Sequence, residues 1–292
     1  PRPRRRIGGF DVRPPAAPRT RIASPRPHDP ASGSAVHTVV KAGGSIGVDR
    51  AAVADLVAEL AARGPVVLVH GASAETDRLS TVLGHPPETI VSPSGHQSRR
   101  TDRKTLEIFA MAALGIENFL YVELLQKREV DAVGLSGVSG RLLVGKRKTV
   151  RAVKDGKVVL LRDDMTGTVD EVNVELLREL LAARRVPVIA PLALSTEGEA
   201  LNVDGDRAAA RIAAALGAER LVILTNVPGL LRDVADRASV VAEATLGEAE
   251  MLAQGRMKKK VLAAREALEA GVGEVWIRSA TGGAPGTRIA AT

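Results

Sequence analysis

A lysine and two glycines follow a short β-branched run, His37-Thr-Val-Val-Lys41-Ala-Gly43-Gly44, and a helical pattern begins near Asp49. A strand that ends in a glycine turn before a helix leaves backbone N–H groups unpaired. With the positive end of the helix dipole, these groups bind anions. Lys41 adds a full positive charge at the same place. The stretch therefore predicts a phosphate or carboxylate site. By itself, however, the stretch is more typical of a solvated lysine before an ordinary turn, and only its combination with later segments favours the anion site.

Asn202 and Asp206 lie on either side of a glycine, immediately before an Ala-rich helical pattern that runs from Arg207 to Leu216. One interpretation is structural, with Asp204 or Asp206 only capping that helix. The other is functional, with the amide binding a substrate and the carboxylate orienting nearby ammonium groups. The residues alone leave both interpretations open.

Two further basic segments could contribute charge to a site. Arg99 follows several hydroxyl side chains in a polar stretch, and a guanidinium in such a setting suits a carboxylate ligand. The segment 254–260 ends in three consecutive lysines, which cannot share one helix face, so we expect one or two of them at most to point toward any site. Each segment could also be a solvated surface.

Several chemistries are excluded by what the sequence lacks. It contains neither GxxxxGK[ST] nor GxGxxG, so neither a P-loop nor a dinucleotide fingerprint is present. The five histidines show no metal-ligand spacing, and no recognisable elbow supports a Ser/His/Asp triad. The chain has no cysteine, which excludes disulfides and thiolate chemistry. We predict no protein metal site.

Charge and composition separate the first 36 residues from the rest. Residues 1–36 contain eight arginines and two aspartates, which leaves 33 Lys+Arg and 32 Asp+Glu for 37–292. The Pro/Arg-rich start lacks apolar periodicity and is predicted to be disordered. Because Phe10 is its only aromatic residue, nucleic-acid binding through this segment is disfavoured. No apolar run approaches a membrane span and no signal peptide is visible, so we expect a cytoplasmic protein that binds no membrane.

From residue 37 onward, short aliphatic runs alternate with helical patterns, which predicts a three-layer α/β/α sandwich with a mainly parallel central sheet. Aromatic residues make up only 2% of the chain, so Ala, Val, Leu and Ile must form its core. Other expected elements are a polar loop or hairpin at 84–103, helices at 104–114 and 118–128, a hairpin turn at 154–156, helices at 169–185 and 248–270, and an edge strand at 286–289.

Six motifs occur in order: Lys41-x-Gly43-Gly44, Val69-His70-Gly71, Arg99-x-Thr101-Asp102, Asn202-x-x-x-Asp206, Leu224-Thr-Asn-Val-Pro-Gly229 and Met257-x-x-Lys260. This ordered set resembles the amino acid kinase family, in its acetylglutamate kinase branch, over about residues 37–289. Within that branch the chain is most similar to kinases that act on a carboxylate held on an amino-group carrier protein, LysW. The similarity is carried by His70-Gly-Ala-Ser-Ala-Glu75, Gly84-His-Pro-Pro87, the segments 92–109 and 254–260.

The resemblance implies one kinase domain over residues 37–292, with the amino-acid substrate in its N-terminal half and ATP in its C-terminal half. Catalysis would rest on Lys41, Lys260 and Asp206, and substrate binding on Gly71, Ala72, Arg99 and Asn202. Nucleotide and phosphate would contact Gly43, Gly44, Thr225, Asn226, Gly229 and Met257. Mg²⁺ would enter bound to ATP, the carrier would be LysW-like, and the protein would be a homodimer.

The resemblance also implies the reaction, which is phosphorylation of an α-aminoadipyl or glutamyl side-chain carboxylate in lysine or arginine biosynthesis. Two alternatives stay open: a kinase of free N-acetylglutamate and a non-catalytic amino-acid sensor. The sequence departs from the family at one point, where a His-Gly-Gly turn reads His70-Gly71-Ala72. If position 72 adopts a positive φ, its methyl group would be strained and could displace a phosphate donor.

Overall fold

The computed structural model describes residues 38–93, 95, 97–282 and 286–291. The predicted disordered segment 1–36 lies outside them. The strands are β1 (Thr38–Ala42), β2 (Val66–His70), β3 (Thr89–Val91), β4 (Gln97–Arg99), β5 (Ala132–Ser136), β6 (Leu143–Gly145), β7 (Val150–Lys154), β8 (Lys157–Leu161), β9 (Glu171–Val172), β10 (Val186–Ala190), β11 (Leu192–Ser195), β12 (Ala200–Asn202), β13 (Arg220–Thr225), β14 (Glu243–Thr245), β15 (Glu274–Ser279) and β16 (Thr287–Ala290). The helices are α1 (Arg50–Arg63), α2 (Ser73–Val82), α3 (Arg103–Ala110), α4 (Phe119–Gln126), α5 (Val174–Ala182), α6 (Gly205–Leu216), α7 (Leu246–Leu252) and α8 (Met257–Glu269).

Eight strands form the central sheet, in the order β14-β16-β15-β13-β1-β2-β10-β5. Every neighbouring pair is parallel except β15–β16, which is antiparallel. The predicted mainly parallel sheet is therefore confirmed. The prediction that 286–289 forms an edge strand is wrong, because β14 pairs with the outer side of β16. A strand of three residues such as β14 has too little periodicity to be recognised in the sequence.

Successive side chains of the central strands enter two cores on opposite faces of the sheet, as the period of a strand requires. One face buries Val39, Val67, Val69, Ile189 and Ile223 against helices α5, α6 and α8. The other face buries Val40, Leu68, Val188 and Val222 against helices α1 and α4. These small aliphatic residues let the helices cover both faces closely, which gives the three layers.

Helices α3 and α4 are joined by the π-helical residues Met111–Asn118, so the two helices predicted at 104–114 and 118–128 are one continuous helix, Arg103–Gln126. It has 24 residues and a hydropathy of 1.6, long and apolar enough to cross a membrane by length and composition alone. The expectation that no run reaches that length was therefore wrong. A buried core helix passes the same test, and Glu117 and Asn118 are buried inside the described structure.

The described residues also form three smaller sheets, one of four strands in the order β12-β11-β6-β9 and two of two strands. Strands β3 and β4 form the hairpin expected within 84–103, and β7 and β8 form the hairpin that turns at Asp155-Gly156, both with positive φ. The helix predicted at 169–185 begins only at Val174, because Glu171–Val172 pairs with β6 as strand β9. The helix predicted at 248–270 is divided into α7 and α8 around Gly255, whose φ is 52°.

Candidate active site

Two lysines and one aspartate form a buried ionic cluster where the end of β1 meets the first turn of α6. The Lys41 ammonium lies 2.7 Å from Asp206 Oδ1, and the Lys260 ammonium donates a 2.9 Å hydrogen bond to Asp206 Oδ2. Lys41 is 6% exposed and Asp206 is 5% exposed. The three side chains that the sequence predicted as catalytic are thus in direct contact, although 54 residues separate Asp206 from Lys260.

The local sequence before α6 gives its two aspartates different tasks. Asp204 is the N-cap, and its Oδ1 accepts hydrogen bonds from the amides of Asp206 and Arg207 at 3.0 and 3.2 Å. Asp206 lies in the first turn with its carboxylate directed at the lysines. Gly205, between them, lies against the Lys41 side chain, since a Cβ at Gly205 would be 3.4 Å from Lys41 Cε. Of the two interpretations left open by the sequence, capping applies to Asp204 and orientation of ammonium groups to Asp206.

Helix α8 brings one of its three consecutive lysines to the cluster. The Lys260 side chain is 14% exposed and faces Asp206, whereas Lys258 is exposed to solvent. This agrees with the helical geometry, which turns neighbouring side chains by about 100° from one another. Lys258 is therefore a natural control for experiments on Lys260 and Lys41.

The cluster carries one positive charge in excess. Burial raises the pKa of Asp206, but the charges of Lys41 and Lys260 outweigh it and hold that pKa well below its ordinary value. Burial, together with the charge of Lys41, lowers the pKa of Lys260 against the attraction of Asp206. Two ammonium groups with one carboxylate in a poorly solvated place attract a further anion strongly.

Two glycine turns pack against each other beside this cluster. A Cβ on Gly44 would collide with the backbone of Gly71, Ala72 and Ser73, and Ala74 N donates a 2.7 Å hydrogen bond to Gly44 O. The amides predicted to bind phosphate are partly used by the protein, because Gly43 N donates to Leu224 O. Gly71 N likewise donates to the carbonyl oxygen of Ala42.

Among the residues that the structure describes, no protein oxygen accepts a hydrogen bond from the amides of Gly44 and Ala72. These two N–H groups are therefore the donors that the interlocked turns leave for a ligand. Ala72 itself has φ −143° and is 1% exposed, in the cluster that contains Leu106 and Phe109. The positive φ considered for this position does not occur, so its methyl group is packed rather than strained.

We expect Gly44→Ala to destabilise the protein by about 1–3 kcal/mol, because the new methyl group must separate two backbone turns. The free energy of unfolding in urea measures this loss. Gly247→Ala is the matched control, since a Cβ at Gly247 meets nothing within 4 Å and its φ is not positive. Equal stabilities of the two variants would contradict the interlocked turns.

The predicted substrate-binding side chains of Arg99 and Asn202 are each held by hydrogen bonds to a neighbouring segment. Arg99 Nη2 donates to Ser73 O at 3.0 Å and to Asp77 Oδ1 at 2.6 Å. Asn202 Nδ2 donates to Thr101 Oγ1 at 3.1 Å. Arg99, the last residue of β4, is thus held against α2, and Asn202, the last residue of β12, is held against Thr101.

The predicted nucleotide-binding residues follow β13 and begin α8. Thr225 is 6% exposed at the end of β13, and Asn226 Nδ2 donates to Ile46 O at 3.3 Å, in the loop after Gly44. Gly229 packs closely on Thr287, whose hydroxyl would be 2.8 Å from a Cβ at that position. Met257 is the first residue of α8 and packs partly buried against the sheet. No direct contact joins all four, so their shared role stays a prediction.

The comparison with known families matches residues 37–279 to the model described as the amino acid kinase family, which covers most of the chain. The chain belongs to the amino acid kinase family. The match begins before Lys41 and ends beyond Lys260, and it therefore includes the whole ionic cluster. The fold and family implied by the six sequence motifs are confirmed.

Relatives named for an enzymatic activity match most of this chain. It is 54% identical over 252 residues to a LysW-aminoadipate kinase of Deinococcus radiodurans, covering 85% of this chain and 86% of that protein. It is 52% identical over 244 residues to a LysW-aminoadipate kinase of Thermus thermophilus, covering 81% and 91%. The crystal structure of smu.665 from Streptococcus mutans UA159 has TM-score 0.71 at 23% identity, covering 87% and 98%, and shows the fold alone.

This amino acid kinase offers no protein cage for a metal ion within its described part, since no three His, Cys, Asp or Glu side chains are grouped to hold one. The one carboxylate at the cluster is already paired with two ammonium groups. Mg²⁺ prefers to keep waters and to bind substrate phosphates with one or two carboxylates. The described residues of the cluster therefore do not fit a resident metal ion.

His70 belongs to one of the six sequence motifs, whereas no motif in the sequence marks Asn118. His70 is fully buried beneath the Gly71 turn, with Nδ1 3.4 Å from Gly71 O and Nε2 3.0 Å from Asn118 Nδ2. Asn118 Nδ2 also donates to Val188 O at 2.9 Å. Because Asn118 donates to Nε2, the proton of the neutral ring is on Nδ1. No hydrophobic periodicity in the sequence marks Asn118 as buried, because the π-helical turns before it bring its side chain against the carbonyl groups of β5 and β10.

Burial lowers the pKa of His70 to about 4, and the charge of Lys41 acts in the same direction. In the unfolded chain the histidine pKa is near 6.5. Between about pH 6.5 and about pH 4 the unfolded chain therefore binds a proton at this histidine and the folded protein does not, so the free energy of unfolding falls as pH decreases over that range. We expect this histidine to contribute up to about 3 kcal/mol to that fall. NMR of the ring nitrogens should show His70 neutral at pH 5. A titration midpoint near 6.5 would contradict its burial.

Proposed function

We propose that this protein transfers the γ-phosphoryl group of ATP to the side-chain carboxylate of an α-aminoadipyl, or glutamyl, group carried on an amino-group carrier protein of the LysW type. The product is an acyl phosphate in lysine or arginine biosynthesis. The observation that carries the proposal is the buried Lys41–Asp206–Lys260 cluster in a chain so similar to LysW-aminoadipate kinases.

The chemistry requires little proton transfer. A carboxylate with a pKa of about 4 is already ionised at neutral pH, so no general base is needed. One carboxylate oxygen forms the new bond to the γ-phosphorus, and the bond from that phosphorus to the β,γ-bridging oxygen breaks, giving ADP. The protein must hold two anions in line and neutralise the charge of the moving group.

The excess positive charge of the cluster suits this task. Lys41 stabilises the transferring phosphoryl group, and Lys260 acts on the nucleotide side, near the leaving oxygen. Asp206 does not react but keeps the two ammonium groups apart and oriented, since each bonds to a different carboxylate oxygen. The amides of Gly44 and Ala72 add neutral donors that need no reorganisation during the reaction.

The remaining residues divide between the two substrates. Arg99, Asn202 and the Gly71-Ala72 turn hold the amino-acid end in the N-terminal half of domain 37–292. Residues Thr225, Asn226, Gly229 and Met257 line the nucleotide side in its C-terminal half, with Gly43 and Gly44 supporting the phosphates. Mg²⁺ enters as the Mg–ATP complex. We further propose a cytoplasmic homodimer.

The direct test is ADP release from Mg–ATP with three acceptors: a LysW-type carrier bearing α-aminoadipate, the same carrier bearing glutamate, and free N-acetylglutamate. We expect turnover only on the carrier-bound groups. Turnover of free N-acetylglutamate at an ordinary KM would instead identify an acetylglutamate kinase. ATP binding without turnover of any acceptor would favour an amino-acid sensor.

A further inference from the structure

In the part of the chain that the structure describes, the turn after β2 keeps one backbone donor, Ala72 N–H, without a protein acceptor. The other polar groups of this turn are held. Gly71 N donates to Ala42 O at 2.9 Å, and Ala72 O accepts hydrogen bonds from the amide and the hydroxyl of Thr76 at 2.8 and 2.6 Å. Gly71 O lies 3.4 Å from Nδ1 of the His70 ring. The turn is therefore built to present a single N–H group.

The direction of this N–H group depends on the oxygen that His70 holds. Gly71 O and Ala72 N–H belong to one peptide group, and in a planar trans peptide the C=O and N–H bonds point in opposite directions. The ring that holds the oxygen therefore also aims the N–H. The Ala72 nitrogen lies against Gly44, where a Cβ would collide with it, so the two available amides are adjacent. At 3.4 Å the bond to Gly71 O is weak, and it contributes to orientation more than to stability.

The ring can donate to Gly71 O only if its proton is on Nδ1, and Asn118 places the proton there. Asn118 Nδ2 donates to His70 Nε2 at 3.0 Å, so Nε2 is the acceptor and Nδ1 the donor of the neutral ring. The same Nδ2 donates to Val188 O at 2.9 Å, which fixes the orientation of the amide, since a flipped amide would turn its oxygen toward that carbonyl group. The tautomer of His70 is thus set from the helix side of the ring.

A glycine in a neighbouring strand makes room for the Asn118 amide. Gly134 lies in the middle of β5, and a Cβ there would collide with Asn118 Oδ1. Glycine weakens the interior of a strand and often marks the close approach of another group. An aliphatic pair in place of His70 and Asn118 would fill the same space without the desolvation of polar groups. Packing alone therefore does not explain this buried polar pair.

We propose that Asn118 and His70 are positioning residues for phosphoryl transfer, because together they aim the Ala72 N–H at an anionic oxygen of the reacting groups. This inference rests on the proposed function and adds two buried side chains to it. The hydrogen bonds run in one direction, from Asn118 to the ring, from the ring to Gly71 O, and from Ala72 N–H to the reacting oxygen, so each bond polarises the next. No proton is transferred. A donor that is already aimed needs no reorganisation when charge develops in the transition state.

Two substitutions of His70 separate its two hydrogen bonds. Asparagine can place an amide N–H at the position of Nδ1, so His70→Asn keeps a donor for Gly71 O and loses the acceptor for Asn118. Glutamine carries its amide one bond further along the side chain, near Nε2, so His70→Gln keeps the acceptor and loses the donor. Asn118→Leu removes the donor to the ring at similar volume. Leu125→Ala is the matched control, because Leu125 is fully buried on the same long helix and its side chain forms no hydrogen bond.

The test measures kcat and KM for Mg–ATP with a LysW-type carrier bearing α-aminoadipate, together with unfolding in urea and ¹⁵N NMR of the His70 ring at pH 7. We expect NMR to show a protonated Nδ1 and an unprotonated Nε2 in the wild type. His70→Gln and Asn118→Leu should lower kcat about 10- to 100-fold, less than deletion of such a donor, with KM changed less than about threefold. His70→Asn should keep a kcat at least about fivefold above that of His70→Gln. Leu125→Ala should keep kcat within about twofold of the wild type, although it is less stable.

Equal kcat values for the two His70 variants would overturn the positioning role. So would a loss of kcat in Leu125→Ala as large as that in Asn118→Leu, or a wild-type ring protonated at Nε2. If a His70 variant does not fold, Asn118→Leu with its control and the NMR measurement carry the test. Absence of acceptor turnover by the wild type would instead overturn the proposed function, whereas the NMR measurement, which needs no substrate, tests the ring proton separately.

Discussion

Lys41→Met is expected to reduce kcat for phosphoryl transfer by at least about a thousandfold while nucleotide binding is largely kept. The Lys41 ammonium is 2.7 Å from Asp206 and adds to the excess positive charge of the cluster. This charge stabilises the transition state most strongly, because negative charge then moves from the acceptor carboxylate oxygen toward the leaving oxygen of ADP. Loss of one preorganised electrostatic group typically costs 10²–10³ in kcat, and loss of a full positive charge at a transferring phosphoryl group about 10³–10⁵. Single-turnover kinetics with Mg–ATP and the carrier-bound acceptor measure the effect.

Lys258→Met is the matched control for this loss. It removes the same charge from an exposed position two residues before Lys260, so its kcat should stay within about twofold of the wild type. Calorimetry with a non-hydrolysable ATP analogue separates a catalytic defect from lost binding. A Lys41→Met enzyme with kcat within tenfold of wild type would refute the assigned role.

Asp206→Asn is expected to cost about 3–5 kcal/mol of stability, because it leaves two buried ammonium groups without their shared counter-ion. The amide is the same size, so packing changes little and the effect is electrostatic. Equilibrium unfolding in urea at pH 7 measures the loss. Asp204→Asn is the matched control on the same turn, and since asparagine caps helices as well as aspartate does, its effect should be a few tenths of a kcal/mol.

The pH dependence of the same two variants provides a second measurement. The folded-state pKa of Asp206 is held below its ordinary value, so its stabilising contribution is complete above about pH 4 and decreases as pH falls further. Asparagine does not titrate, so the stability difference between wild type and Asp206→Asn should narrow below about pH 4. A difference that stays constant down to pH 2 would show that the aspartate pKa is not coupled to the lysines.

The repeating elements of the fold could be predicted because each has a strong local signal. The buried strands β1, β2, β10 and β13 are continuous aliphatic runs that end in turn residues, and their order with helices implied a parallel sheet. The prediction failed where the signal is weak or ambiguous. Strand β14 is too short to show a period, and nothing in the sequence of 103–126 distinguishes one helix with π-helical turns from two shorter helices.

The sequence could not predict which backbone amides of the glycine turns stay available for a ligand. The sequence indicated that Gly43, Gly44, Gly71 and Ala72 approach a ligand, but which amides remain available depends on the neighbouring strands. The amide of Gly43 bonds to Leu224 O and that of Gly71 to Ala42 O, and these carbonyls come from β13 and β1. Only the assembled sheet decides that Gly44 and Ala72 keep free donors.

By itself, the sequence determined the family, the sheet-based fold and the identities of the charged residues, because residue type and local periodicity carry that information. The tertiary structure alone showed that Asp204 is the residue that caps α6, and that the side chains of Lys41 and Lys260, which the resemblance had only implied as partners of Asp206, both contact its carboxylate. These outcomes depend on contacts between residues far apart in the chain, such as Lys41 with Asp206 and His70 with Asn118, which no local pattern encodes.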